Sequence, residues 1–253
     1  MSKPVRLSRE LTAAALAHLS ASDPVMRQLI ASIGPFGLKP RRDRFNTLVR
    51  SIVSQQISTK AAASILARLQ AAVEPEGISP ESLLRLSPAQ MRKVGLSPQK
   101  QTYLHDLSER VHTKKVRLEA LGRLPDEEVI NELIQVKGIG RWTAQMFLIF
   151  TLGRADVFPH DDLGVRTAIM RFYRLKELPD KATAHSIAEL WRPYATVGSW
   201  YCWRSLLWSR NSGLSFAGLD NGCVTSTRRT PRGRGLRQSR RERRATWKSR
   251  RNC

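Results

Sequence analysis

DEEVINELIQVKGIGRWTAQMFLIFTLGRADVFPHDDLGVRTAIM, residues 126–170, is the stretch whose reading decides the fold. At its centre, Val136-Lys137-Gly138-Ile139-Gly140 separates two helix-like runs, and the pair Asp161-Asp162 follows about twenty residues later. Upstream, Val129, Ile130, Leu133 and Ile134 share one helical face, with Asp126 expected as its cap. Downstream, Met146-Phe147-Leu148-Ile149-Phe150 is apolar on all sides, which predicts a helix buried in the centre of the protein. Two glycines one residue apart permit positive φ and the close approach of another backbone. A helix begins there, so its free N–H groups and positive dipole end point outward together, as a phosphate site requires. An ordinary αα-hairpin with glycine in its turn has the same local pattern. By themselves, Asp161 and Asp162 read as helix caps, with Arg166 one turn on as an ion-pair partner.

Outward from this segment nearly everything reads as helix. Ser8 precedes a helix near 9–20, Asp23-Pro24 caps the next and Gly34 closes it. Phe45, Leu48, Val49, Ile52 and Val53 form an amphipathic stripe, interrupted by Gln55-Gln56-Ile57-Ser58. Ser58 caps a further helix with Ala62, Ile65, Leu66, Leu69 and Val73 inward. Three Ser-Pro pairs, Ser79-Pro80, Ser87-Pro88 and Ser97-Pro98, each have the cap-plus-proline form of a helix start. Helices near 180–191 and 193–209 end the globular part, with Trp191, Trp200, Trp203 and Trp208 read as core. Sustained period-two alternation is missing, which predicts an all-α fold essentially without sheet.

Charge narrows the partners. The chain carries a net charge of +22 over 253 residues. From Asn211 onward there are 12 Lys+Arg against 2 Asp+Glu, and the first 210 residues hold 31 against 19, so the folded part is itself basic. That favours a polyanion, nucleic acid before an acidic membrane surface. The segment from 214 to 253 has no apolar periodicity and is expected to be a disordered basic tail, either a DNA tether or without a role. Cys202, Cys223 and Cys253 show no CxxC spacing, which argues against a zinc site or a four-cysteine iron–sulfur cluster. No apolar run reaches membrane length and the N-terminus lacks signal-peptide form, so the expected setting is cytoplasmic: nucleoid-associated in a bacterium, nuclear in a eukaryote.

The stretch QVKGIGRWTAQMFLIFTLGRADVFPHDD resembles the helix-hairpin-helix and Gly/Pro-rich loop with following aspartate of the base-excision DNA glycosylase superfamily, and within it the 3-methyladenine DNA glycosylase II family. SIVSQQIS at 51–58, VGLSPQKQTYLHDLSERV at 94–111 and LWRPYATVGSWYCWRSLLW at 190–208 follow in consistent order, so the resemblance covers roughly 20–210. It implies a bilobal all-α domain over 1–213, a subdomain of about 40–165 flanked by 1–39 and 166–213, with DNA in the cleft between them. The amides of Gly138, Gly140 and Thr143 would meet phosphates. Lys137 stands where the family usually has proline and adds a phosphate contact. A monovalent cation, Na+ or K+, would sit on the carbonyls of Ile134, Val136 and Ile139, with no other cofactor required. Asp162 would be the catalytic carboxylate and Asp161 the cap. Gln56, with Gln55 beside it, matches the residue that fills the gap left by a flipped nucleotide. Trp142, Met146 and Tyr194 would face the extruded base.

An N-alkylated purine already carries positive charge, so its base leaves readily. One carboxylate beneath the resulting oxocarbenium-like sugar suffices to stabilise it. Relatives that also cut the strand place a lysine where Trp142 stands, to form a Schiff base. The tryptophan implies a monofunctional enzyme that leaves an abasic site in alkylated duplex DNA, and a DNA-clamping monomer is the simplest expectation. The alternatives at this point are a helix-hairpin-helix module that binds DNA without chemistry, and a glycosylase for deaminated or oxidised bases.

Overall fold

The computed structural model describes residues 5–212. The expected tail at 214–253 and the side chain of Trp208 lie outside the described residues. The chain opens with α1 (Arg9–Ser22) and α2 (Pro24–Ile33), followed by α3 (Arg44–Ser54) and α4 (Thr59–Ala72). Short helices α5 (Pro80–Leu84) and α6 (Pro88–Lys93) lead into α7 (Pro98–His112). A 3₁₀ turn at Leu121–Arg123 precedes α8 (Asp126–Leu133) and α9 (Arg141–Phe147), and α9 runs into a π-helical segment, Leu148–Leu152. The described chain ends with α10 (Leu163–Phe172), α11 (Lys181–Glu189) and α12 (Ala195–Ser212). Among the described residues the only β pairing is an isolated bridge between Arg6 and Arg154.

Local chemistry explains most helix starts. Ser8, Asp23, Asp43, Ser58, Ser79, Ser87, Ser97, Asp162 and Asp180 each accept an amide of the first turn they precede. Asp126 departs from expectation. The N-cap of α8 is Pro125, which makes no side-chain cap, and Asp126 is the first helical residue. Its carboxylate turns instead toward the buried Arg154 guanidinium, Nε to Oδ1 at 3.1 Å, close in distance but without hydrogen-bond alignment. Arg154 is 1% exposed and donates to the Leu124 carbonyl at 2.7 Å, so a buried cation competed successfully for the acid. The apolar run 146–150 also differs from a uniform buried helix. Phe147, Leu148 and Ile149 are buried, whereas Met146 and Phe150 are only partly so, at the passage from α to the wider π winding.

Packing sorts the helices into two groups. One continuous core draws its members from Phe45 to Val157, across α3 to α9 and the π segment. The other group joins α1, α2, α10, α11 and α12. In the second group Asp23, 1% exposed, is the fastener. Its Oδ1 caps α2 by accepting the amides of Val25 at 2.8 Å and Met26 at 3.2 Å, while Oδ2 accepts Trp191 Nε1 at 2.9 Å and the Tyr173 hydroxyl. Burial and the adjacent Asp23 carboxylate push the Tyr173 phenol well above its ordinary range, so it stays a donor. Among the described residues no helix is long and apolar enough to cross a membrane.

Asp23→Ala leaves the buried donors of Trp191 and Tyr173 without their acceptor and uncaps α2. The expected loss is about 3 kcal/mol of unfolding free energy, measured by urea titration. A loss under about 1 kcal/mol would show that the fastener is dispensable.

Candidate active site and DNA interface

Asp162 stands where α9, α10 and α12 meet. Its amide donates to the Pro159 carbonyl at 2.9 Å, closing a turn that leaves it the last residue before α10. Oδ1 accepts the Val165 amide at 2.9 Å, the N-cap bond of that helix. The same oxygen accepts Trp203 Nε1 at 2.8 Å, and Oδ2 accepts Trp142 Nε1 at 3.0 Å. The carboxylate is therefore held by donors from three separate helices, with about one of its four lone-pair sites left over. It is 9% exposed, close to dry but not sealed. Gly164 preserves the arrangement, since a Cβ there would lie 3.0 Å from Asp162 Oδ1 and 3.1 Å from Trp203 Cδ1.

The cap assignment is thus corrected. Asp162, not Asp161, caps α10, because the Pro159 turn puts position 162 in the extended conformation before the helix, at φ −72 and ψ 116. Asp161 is 63% exposed and pairs with His160 Nε2 at 3.2 Å. Burial pushes the His160 imidazole below its ordinary value, against the pull of Asp161.

Trp203 is the site residue that the sequence reading placed in the core. It is partly buried, and its ring lies 5.4 Å from that of Phe150 at an interplanar angle of 31°. Tyr194 is brought elsewhere. It sits one residue before α12, its ring 5.5 Å from His18 of α1, separated from Trp203 by roughly 13 Å of helix rise. Trp142, 43% exposed, stays beside Asp162, and Met146 follows one turn along α9. Met146 and Phe150 help line a cleft of about 500 Å³ that Ile57, Lys39, Arg41 and Arg50 also line. Lys39 and Arg41 precede α3 and Arg50 lies within it, so only the assembled fold shows them lining one cleft.

The hairpin uses its two glycines for different reasons. Gly138 has φ +81, and a Cβ there would lie 2.2 Å from Tyr103 Cδ2. The protein's own packing therefore demands glycine. Gly140, at φ −96, would meet nothing within 4 Å if given a Cβ. Nothing internal requires glycine there, so the free space faces outward. Val136 and Ile139 are buried and pin the turn, while Lys137 is exposed. No side chain caps α9, which leaves the amides of its first turn, Thr143 included, without that partner. The two glutamines of the α3–α4 loop diverge. Gln55 turns inward and donates Nε2 to the Gly138 carbonyl at 2.8 Å. Gln56 is exposed with φ +57, a left-handed conformation unusual for a residue with a side chain.

A hairpin between helices with a buttressed carboxylate at the start of the next helix defines a helix-hairpin-helix protein with a chemical site. Residues 49–193 match the family model for the HhH-GPD superfamily base excision DNA repair protein, and the chain belongs to that family. It is 34% identical over 194 residues to DNA-3-methyladenine glycosylase 1 of Schizosaccharomyces pombe, covering 74% of this chain and 85% of that one. The structure of the S. pombe 3-methyladenine DNA glycosylase in complex with abasic DNA superposes with a TM-score of 0.71 at 31% identity, over 80% of this chain and 99% of that one. A DNA-3-methyladenine glycosidase from Bacillus halodurans gives a TM-score of 0.70 at 33% identity, over 81% and 92%.

Gly138→Ala is expected to destabilise the fold by about 2 kcal/mol, from left-handed strain and the Tyr103 clash. Gly140→Ala should stay within about 1 kcal/mol of wild type in unfolding yet weaken duplex DNA binding severalfold in a fluorescence-anisotropy titration. Equal stability losses for both would contradict the division of labour.

Proposed function

We propose that the protein removes alkylated purines from duplex DNA by hydrolysis of the N-glycosidic bond, as a 3-methyladenine DNA glycosylase of type II. The observation that carries this reading is the Asp162 carboxylate, fixed by two indole N–H groups and an N-cap bond, one of those indoles, Trp203, packing on Phe150 of the cleft that Lys39, Arg41 and Arg50 also line. A module that only held DNA would need the hairpin but not this arrangement. Relatives named as 3-methyladenine glycosylases, one of them solved on abasic DNA, support the substrate class.

The base arrives as a cationic leaving group. As the bond between its nitrogen and C1′ breaks, the electron pair stays with the base, which departs neutral, and positive charge moves to the sugar. Asp162, its orientation set by Trp142, Trp203 and Val165, supplies the opposing charge without reorganisation. Water then attacks C1′ and loses a proton, leaving an abasic site. Trp142 presents an indole that cannot form a Schiff base, so the strand is left uncut. Trp142, Met146 and Phe150 offer the electron-poor base an apolar and aromatic wall. Tyr194, packed on His18, is not assigned to this wall. Gln56 enters the space vacated in the duplex, and Gln55 steadies the hairpin from within rather than touching DNA. The amides of Gly138, Gly140 and Thr143 with the Lys137 side chain grip a backbone phosphate. The hairpin suits a monovalent cation to the extent that the Val136 carbonyl, bonded to the Ile139 amide at 3.1 Å, keeps a second lone pair, with Ile134 and Ile139 completing the set. Such an ion would add positive charge beneath that phosphate. A monomer in the cytoplasm or nucleus fits this work.

Purified protein with methylated DNA should release free 3-methyladenine. Asp162→Asn is expected to slow release at least about a hundredfold while duplex binding persists. Trp203→Phe, which keeps the ring but removes the donor, should slow it about tenfold. Failure of wild type to release the base, or release by Asp162→Asn at the wild-type rate, would sink the enzymatic reading.

A further inference from the structure

Helix α7 touches both the Gln56 loop and the hairpin from one face. Lys100, Tyr103 and Asp106 recur every three residues, which places them within an arc of about 120° along roughly 9 Å of helix. Lys100 Nζ donates to the carbonyls of Val53 at 2.7 Å and Gln55 at 2.8 Å. The Tyr103 ring lies against Gly138. Asp106 Oδ2 accepts the Lys137 amide at 2.9 Å, and Arg110 Nε donates to the same oxygen at 2.9 Å. Gln55 Nε2 closes the ring on the Gly138 carbonyl at 2.8 Å. Loop, hairpin and α7 thus form a closed bracket.

Lys100 is oddly placed for helix stability. A cation in the first turn of α7 opposes the positive end of that helix dipole. Its ammonium instead lies on carbonyls at the C-terminus of α3, the end that attracts cations and leaves acceptors unpaired. Burial pushes the amine below its ordinary value, so part of its hydration has been given up for these contacts. The next residue along the loop is Gln56, held at φ +57. A strained residue persists only where its surroundings fix it, and Lys100 is the fixing group on its N-terminal side.

We propose that Lys100 is a positioning residue for nucleotide extrusion. It locks the Gln56 loop in register with the hairpin, so a phosphate gripped at the hairpin sets the depth at which Gln56 enters the duplex. This rests on the reading of Gln56 as the residue that fills the gap. It predicts a role in opening paired DNA and none in the chemistry at Asp162.

The experiment compares base release from the same lesion in a duplex and in a single strand, where nothing needs to be displaced. Lys100→Met should lower the duplex rate about tenfold, as loss of two charge-assisted hydrogen bonds allows. Its single-strand rate should change less than about twofold. The fluorescence rise of 2-aminopurine placed beside the lesion, which reports unstacking, should fall with the duplex rate. Lys100→Arg, which retains a cationic donor, should recover most of both. The double variant with Gln56→Ala should be no slower than Gln56→Ala alone, because the two act through one step. If Lys100→Met fails to unfold cooperatively, Lys100→Gln, shorter but still a donor, takes its place. Equal losses on duplex and single strand, or no loss on either, would overturn the assignment. A Gln56→Ala variant as fast as wild type on duplex would overturn the gap-filling reading beneath it.

Discussion

The carboxylate of Asp162 depends on two indole N–H groups that arrive from opposite sides in sequence, Trp142 twenty residues before it and Trp203 forty-one after. Each bond requires a different helix to be in place. Trp142 demands that α9 leave the hairpin at the observed angle, and Trp203 demands that α12 fold back across α10. The third bond, to the Val165 amide, makes the same carboxylate the cap of α10. Site and scaffold therefore share one residue. A buried acid with unmet lone pairs would destabilise the junction, so the three donors serve the fold, and in the proposed function they serve the chemistry as well.

The DNA-facing parts follow a similar economy. Gly138 is glycine because Tyr103 packs on it, and Gly140 is glycine although nothing in the protein crowds it. The first requirement is internal; the second position is open, as the proposed close approach of a DNA backbone requires. Gln55 and Lys100 make no contact that chemistry needs, yet between them they join the strained Gln56 loop to the hairpin. In the proposed function, gripping and prying fall to one hydrogen-bonded assembly rather than to two separate loops.

Much of this was legible in the sequence because it is local. Most Ser and Asp caps, the Ser-Pro starts and the apolar stripes of α3 and α4 depend on residues within a turn or two, and they fall where expected. Of the α8 stripe Val129, Ile130 and Leu133 are buried, whereas Ile134 follows the helix and is exposed. What escaped depends on distant partners. Asp126 has the sequence signature of a cap, but Arg154, 28 residues later, draws its carboxylate away. Choosing between Asp161 and Asp162 as the cap requires the turn from Pro159, which adjacent identical residues cannot reveal. Gln55 and Gln56 divide for the same reason, since one backbone step into positive φ sends their side chains in different directions. Trp203 looks like core because it lies among other aromatics of one helix, and only the acceptor at the N-cap of α10 shows that its indole N–H is engaged. Tyr194, expected to face an extruded base, packs on His18 of α1, a partner that its own stretch of sequence does not reveal.

In the proposed function Asp162 stabilises positive charge on the sugar of an extruded nucleotide. The most direct measurement compares binding to two abasic duplexes that differ in one atom's charge, a cationic pyrrolidine and a neutral tetrahydrofuran at the same position. Wild type should bind the cationic duplex at least about tenfold more tightly, and Asp162→Asn should bind the two alike. Equal affinity of wild type for both duplexes, or a preference that survives in Asp162→Asn, would contradict the account.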